Sequence, residues 1–369
     1  TPLYSSAASD VYKRQIRIFQ GIGGFFFKEG YSRHFVEYAL KLSRADPGDY
    51  VLDPFVGVGT TCLTCRELGY ESLGVEISPL FALVARVKTA DYDTKSLREI
   101  RDGIMSERFK RPVVDVKSFV KKLFSKHALE DLFFLKEKID RIGDEKGREF
   151  MTLALMTAAG KVSYIYRDGG VVKVRKDIPR PPSLKKTFRR VVNMMIKDVE
   201  KLPLTDSKSV IKLGDARRLD FIDDELFDVV ITSPPYLNKL EYTSVYGPEY
   251  ELFMGGATVN PLRSYIGLRP NELYAAEDTP PAAYLYFKDM GMALAEMYRV
   301  LKEGGRAVLV VGGGVFPDRV LDVDVKLAEI AVEKGFDVER IIAVNKRVAT
   351  TRRVIKIGWS RESILLLSK

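Results

Sequence analysis

The sequence predicts an α/β fold on a mostly parallel sheet, with a helical insertion in its middle. Three observations predict it. Strand, glycine turn, helix and second strand succeed one another between Tyr50 and Glu76. The same rhythm returns after about residue 206. Between the two lies a stretch of helical spacing with a basic end. Alternating β and α elements are what a sheet with crossover helices requires.

Taken in order, Thr1–Gln15 lack core periodicity, and the chain does not open on Met. Residues 1–15 are therefore read as an artefactual, disordered tail. Tyr50–Leu52 follow the turn residues Asp46–Asp49 and read as a strand. A helix runs to Leu68, where Gly69 stops it. Ser72–Val75 form the next strand, and Ser78 caps a helix to about Lys88. From 91 to 205 helices dominate, among them Val114–Phe124 and Leu129–Ile142. Ten Lys or Arg fall between Val171 and Lys201, opposed only by Asp177, Asp198 and Glu200; they could neutralise phosphates, which makes the basic insertion 91–205 a candidate recognition region for a polyanion. Val210–Leu213 and Phe227–Thr232 are strands, and a Tyr- and Gly-rich segment to about Pro281 reads as a loop. Helix Ala282–Leu301, strand Arg306–Val311, helix Val320–Lys334 and strands Phe336–Val344 and Ser363–Leu367 complete the chain. Residues 16–90 and 206–369 thus make one domain, which 91–205 interrupts.

Composition narrows the function. The 369 residues are 46% hydrophobic and 30% charged, which excludes wholesale disorder. Two cysteines cannot build a disulfide framework, so a reducing, cytoplasmic setting is expected. With only His34 and His127 beside them, no metal site is expected. No apolar run approaches the roughly 20 residues of a membrane span. A net charge of +9 favours a polyanionic partner.

Gly57-x-Gly59, between a strand and a helix, sets backbone N–H groups against a ligand. No Lys follows, so the loop is not a P-loop, and Cys62 replaces the third glycine of a dinucleotide fingerprint. Glu76, 23 residues after Asp53 and at the end of the next strand, is placed to accept two ribose hydroxyls. A nucleoside cofactor is the stronger reading; the weaker is a tight turn with a solvated carboxylate. Asp53 holds a ligand amine or orients the loop. Asp215 meets an adenine amine or closes a plain Gly–Asp turn.

Ser233–Pro234–Pro235–Tyr236 follow the apolar run Val229–Ile231. Two prolines stiffen the turn and remove two donors, leaving carbonyls, a hydroxyl and a flat ring. That set grips an exocyclic amine on a planar heterocycle and frees its lone pair for attack. By itself such a turn is more often structural; downstream of the glycine loop in one sheet, it reads as a site.

These two motifs together, Asp53–Pro54–Phe55-x-Gly57-x-Gly59–Thr60–Thr61 and Thr232–Ser233–Pro234–Pro235–Tyr236, resemble the S-adenosylmethionine-dependent DNA amino-methyltransferases. The Ser-Pro-Pro-Tyr form is most similar to the cytosine-N4 members; adenine-N6 members usually carry Asp at the first position. The resemblance covers about Phe25–Lys88 and Val210–Lys369. It implies a Rossmann-like methyltransferase fold, a mostly parallel seven-stranded sheet with an antiparallel last strand. It implies S-adenosylmethionine held by Asp53, Phe55, Gly57, Gly59, Thr60, Glu76, Ile77 and Asp215. It implies catalysis by Ser233, Pro234, Pro235 and Tyr236 on a base flipped out of double-stranded DNA, by direct transfer, with a cognate restriction endonuclease as a partner. Phe25–Leu40, with Tyr31, His34 and Phe35, resemble the motif that closes over the methionine moiety; a core-facing amphipathic helix is an equal reading. Cys62 and Cys65 lie on the helix after the glycine loop and read as packing rather than as nucleophiles.

Several readings stay open. The same chemistry suits adenine N6 or a guanine N2 in RNA, and a nucleic-acid-binding module without catalysis would keep the fold. An NAD-dependent oxidoreductase is more distant, because neither histidine is placed for hydride chemistry. Arg347, Arg352, Arg353 and Lys356 form a second basic cluster that reads as phosphate-binding or as a solvated face. Tyr242, Tyr246 and Tyr250 read as a stacking surface for a flipped nucleotide or as a packed lid.

Overall fold

The computed structural model describes residues 3–4, 31–168, 171–175, 181–237, 245–256, 281–316, 318–351 and 355–369. In chain order the first elements are β1 (Leu3–Tyr4), α1 (Arg33–Leu42), β2 (Tyr50–Asp53), α2 (Thr60–Leu68), β3 (Glu71–Glu76) and α3 (Pro79–Thr89). The insertion holds α4 (Thr94–Ser106), α5 (Ser118–Lys121), α6 (Lys126–Asp140), α7 (Glu145–Val162), β4 (Ile165–Asp168), β5 (Val171–Val174) and α8 (Leu184–Lys201). Then come β6 (Ser209–Leu213), β7 (Phe227–Thr232), α9 (Gly247–Phe253), α10 (Pro281–Val300) and β8 (Leu301–Gly312). The last are β9 (Gly314–Val315), β10 (Val320–Leu321), α11 (Val323–Glu333), β11 (Asp337–Thr351) and β12 (Ile355–Ser368).

Eight strands form the main sheet in the order β1-β11-β12-β8-β7-β2-β3-β6. β12 alone runs antiparallel to its neighbours, β8 and β11. The expected mostly parallel sheet with one reversed strand is what forms; the eighth strand is the two-residue β1, from the tail set aside above, parallel to Ile342–Ala343. Chain order reverses between β2 and β7, where Val51 faces Val229 and Leu52 faces Val230. A crevice opens at the carboxyl ends of such a pair, and both sequence motifs sit there.

Local chemistry sets the element ends that matter. Gly69 leaves α2 with a left-handed φ of 83°, and Ser78 caps α3 by accepting from the Phe81 N–H. Apolar clusters cover both sheet faces, one built on α10 and α11, the other on α1. A third joins α3 to the insertion helices, with Phe81, Val84, Phe150 and Phe188 in one continuous core. α8 turns Phe188, Val192 and Ile196 inward, and its basic residues cover the outer face.

Arg66 on α2 ties both ends of the insertion to the sheet. Its buried guanidinium donates to the Thr89 carbonyl (2.5 Å) and Asp91 Oδ1 (2.8 Å) at the entry, and to the Ser207 carbonyl (2.9 Å) at the exit.

Five expectations change. The segment to Pro281, read as a loop, holds the helix α9. Of Val114–Phe124 only Ser118–Lys121 is helical. The insertion is not wholly helical, because β4 and β5 pair as a hairpin. Val320–Leu321 pair with Gly314–Val315 instead of opening α11, whose helix begins at Val323. β11 and β12 run well past their apolar stretches, because each supplies the other's backbone hydrogen bonds whatever its side chains.

Gly59 caps α2 at φ 85°, and a Cβ there would lie 3.0 Å from both Cα and Cβ of Ala85. Gly59→Ala is expected to lower the unfolding free energy by about 2 kcal/mol. Urea denaturation measures it, and an unmoved midpoint would show that this turn tolerates a side chain.

Candidate active site

Asp53 ends β2 and is fully buried. Four donors satisfy it. Oδ2 accepts from Tyr31 Oη (2.6 Å) and Thr61 Oγ1 (2.5 Å), and Oδ1 from Thr232 Oγ1 (2.6 Å) and the Phe55 N–H (3.1 Å). Tyr31 Oη also meets Thr61 Oγ1. Burial raises the Asp53 carboxyl pKa although every one of these bonds opposes the rise. With both oxygens held by the protein, the carboxylate is arranged to orient the glycine loop rather than to meet a ligand amine.

Glu76 ends β3 on the other side of that loop. Oε2 accepts from the Gly57 N–H and Oε1 from the Ser78 N–H, each at 2.9 Å. Burial pushes its pKa up to about 7 against these bonds and a third from the Ile77 N–H. Gly57 stands at φ 53°, and a Cβ there would touch nothing closer than 4.0 Å, so the loop face is open. Ser78 Oγ pairs with Tyr250 Oη at 2.5 Å, which fastens α9 to the acidic corner.

Asp215 follows β6 and stays close to Glu76, because the Gly214 N–H donates to the Glu76 carbonyl at 3.0 Å. Its carboxylate accepts from Arg217, 2.6 Å from Nη2 and 2.9 Å from the backbone N–H. Burial would raise its pKa, but the Arg217 bonds outweigh it and hold the group below the usual range. Asp215 reaches an adenine amine only by sharing its oxygens with Arg217.

The Ser233–Tyr236 turn leaves β7 directly beside this site. The Thr232–Asp53 hydrogen bond joins the two corners, which occupy neighbouring strands about 4.8 Å apart. Pro234 is buried; Ser233, Pro235 and Tyr236 are half-buried. Tyr236 lies on Gly312, where a Cβ would come 2.6 Å from the ring, and Leu237 lies equally close to Gly314. Past Tyr236 opens a shallow cleft, lined also by Gly312, Gly313, Asn345, Arg347 and Glu362. The sequence reading missed Gly312 and Gly314 as site residues; three consecutive glycines ending a strand were the available signal.

The other expected residues separate. Tyr31 joins the Asp53 network. Phe35 is buried in a core-facing helix, and half-buried His34 pairs with Glu37. Tyr246 and Tyr250 are buried, so these two act as packing, with Tyr246 edge-on to Phe81. Tyr242, Arg352 and Arg353 lie outside the described residues. Cys62 and Cys65 are fully buried and their thiol pKa values are pushed up, as packing residues would be.

The chemistry of this donor set fits a nucleoside carrying an anionic tail. Glu76 is a buried carboxylate with only N–H partners and spare lone pairs for hydroxyls. Gly59 gives α2 no side-chain cap, which leaves first-turn N–H groups for a carboxylate.

Residues 25–86 match the DNA methylase family. The chain is 26% identical to the type II methyltransferase M.BsoBI of Geobacillus stearothermophilus over 60% of this chain and 50% of that one. Identity to M.MjaII of Methanocaldococcus jannaschii is 35%, over 34% of this chain and 21% of the relative. M.AvaI of Nostoc sp. is 22% identical over 87% of this chain and 80% of its own. The chain thus spans half the length of M.BsoBI and about a fifth of M.MjaII.

The raised pKa of Glu76 gives a signed expectation. A carboxyl easier to protonate when folded stabilises the fold in its neutral form. That contribution is full below about pH 4.5 and is lost as pH rises through about 7. Unfolding free energy should fall across this window by at most about 3 kcal/mol, and Glu76→Gln should flatten the fall. Melting curves taken between these pH values test it; identical slopes in both proteins would contradict the assignment.

Proposed function

We propose that this chain, whose residues 25–86 match the DNA methylase family, uses S-adenosylmethionine to methylate the exocyclic N4 of cytosine in double-stranded DNA. The observation that carries the proposal is the Thr232–Asp53 hydrogen bond, which sets an amine-gripping turn beside a nucleoside corner. S-adenosylmethionine supplies a methyl group on a sulfonium, ready for attack. The residues do the rest. Gly57, Glu76, Ile77 and Asp215 line the nucleoside side, and Phe55, Gly59 and Thr60 carry the loop into α2. Ser233 Oγ and the Pro234 carbonyl accept the two amine hydrogens, Pro235 keeps the turn stiff, and Tyr236 stacks on the base. Gripped in this way, the amine turns its lone pair out of the ring for direct attack. Neither Cys62 nor Cys65 reaches a base to form a covalent intermediate, since both are sealed in the core.

Ser rather than Asp at 233 favours cytosine N4 over adenine N6, because the resemblance at this position is to the cytosine members. The relatives are named type II methyltransferases. We carry over from them a short DNA target and a partner restriction endonuclease that cuts it.

Mass spectrometry of nucleosides from treated DNA should show N4-methylcytosine; N6-methyladenine, or a methylated guanine from RNA, would move the assignment. Ser233→Ala is expected to cut kcat about a hundredfold while leaving cofactor affinity nearly unchanged. Glu76→Ala should instead weaken cofactor binding about tenfold or more. Isothermal titration beside single-turnover kinetics separates the two, and equal loss of cofactor affinity in both variants would refute this division of roles.

A further inference from the structure

β11 and β12 outrun the sheet that holds them. β12 pairs with β8 only from Glu362 to Ser368, and β8 ends at Gly312. Beyond that edge the two strands pair with each other, from Lys346 opposite Arg361, through Val348 opposite Trp359, to Thr351 opposite Ile355. At about 3.3 Å per residue the ribbon reaches roughly 20 Å past the sheet. It departs from the carboxyl end of β8, where Gly312 lies on Tyr236.

One face of the ribbon is covered. Gly358 lies against Val320 of β10, and Ala349, its cross-strand partner, is buried. The opposite face carries Lys346, Val348 and Trp359, since residues two apart or directly paired share a side. Val348 is 47% exposed and Trp359 46%. Lys346 Nζ and Lys356 Nζ lie 4.8 and 4.7 Å from the Trp359 ring centroid. Residues 346–351 and 355–361 include four cations and no acid. Arg361 is occupied by Asp324, while Lys346 and Lys356 are exposed beside Trp359.

We propose that this ribbon is the arm by which the chain grips duplex DNA beside its target base. Lys346 and Lys356 neutralise phosphates, and the Trp359 indole packs into the groove. A two-stranded ribbon fits the major groove of B-DNA, and the absence of acids suits a polyanion and nothing neutral. The ribbon starts at the amine-gripping turn, so DNA lying along it presents its bases to Tyr236. The inference rests on the methylase reading only in taking DNA as the polyanion.

Trp359 is the single tryptophan of the chain, so its emission reports on this surface without any substitution. Titration with a duplex oligonucleotide should change that emission and reduce acrylamide quenching, with the midpoint found by anisotropy. The K346E/K356E variant should bind duplex roughly tenfold more weakly, with a salt slope about 2 shallower and unchanged cofactor affinity. Duplex binding that leaves Trp359 equally quenched, together with wild-type binding by the variant, would overturn the proposal. So would protection by anionic vesicles or single-stranded RNA but not by duplex. A methyl-transfer assay on the same samples keeps the two readings apart: Trp359 shielded by DNA without methylated product upholds the arm and refutes the methylase.

Discussion

A buried carboxylate must be satisfied from within, and Asp53 organises the site through that demand. Its partners come from the segment before α1, from the glycine loop and α2, and from β7, 179 residues away in sequence. Each partner left out would strand a charge in a water-free place, at a cost of roughly 1–3 kcal/mol or more. The loop is therefore held in the geometry that presents Gly57 to Glu76, and β7 in the register that brings Ser233 beside it. One polar hub couples the glycine loop to the Ser-Pro-Pro-Tyr turn.

Close backbone approach is the second constraint, and glycines meet it. Gly74 lets Val56 sit over β3, where a Cβ would come 2.7 Å from its methyl. Gly312 and Gly314 do the same for Tyr236 and Leu237. Without them the Tyr236 ring would be pushed off the end of β8.

The insertion is built into the fold rather than appended to it. Arg66 clamps its entry and exit, and its helices share a core with α3, the helix that follows Glu76. Tyr250 of α9 adds a bond to Ser78, and Arg167 of β4 pairs with Glu249 of the same helix at 2.5 Å. This buried framework gives the acidic corner a rigid wall, and the lysines and arginines of α8 lie on its outer surface. The β11–β12 ribbon differs in kind: it is two strands wide, open on one side and rooted beside Tyr236.

The sequence by itself determined the α/β class, the strands β2, β3 and β7, the glycine loop and the Ser-Pro-Pro-Tyr turn. Those features are local: a turn residue, a cap or an apolar run acts within a few positions of itself. What only the tertiary structure decided are the long-range matters. The four-fold capture of Asp53, the pairing of Asp215 with Arg217, the burial of Tyr246 and Tyr250 and the need for Gly312 all join residues far apart in the chain. The same holds for β12, which continues to Ile355 through a polar stretch because β11 lies beside it. Side-chain pattern announces a strand only where one face is buried; where two strands merely hold each other, the hydrogen bonds form without leaving a trace in composition.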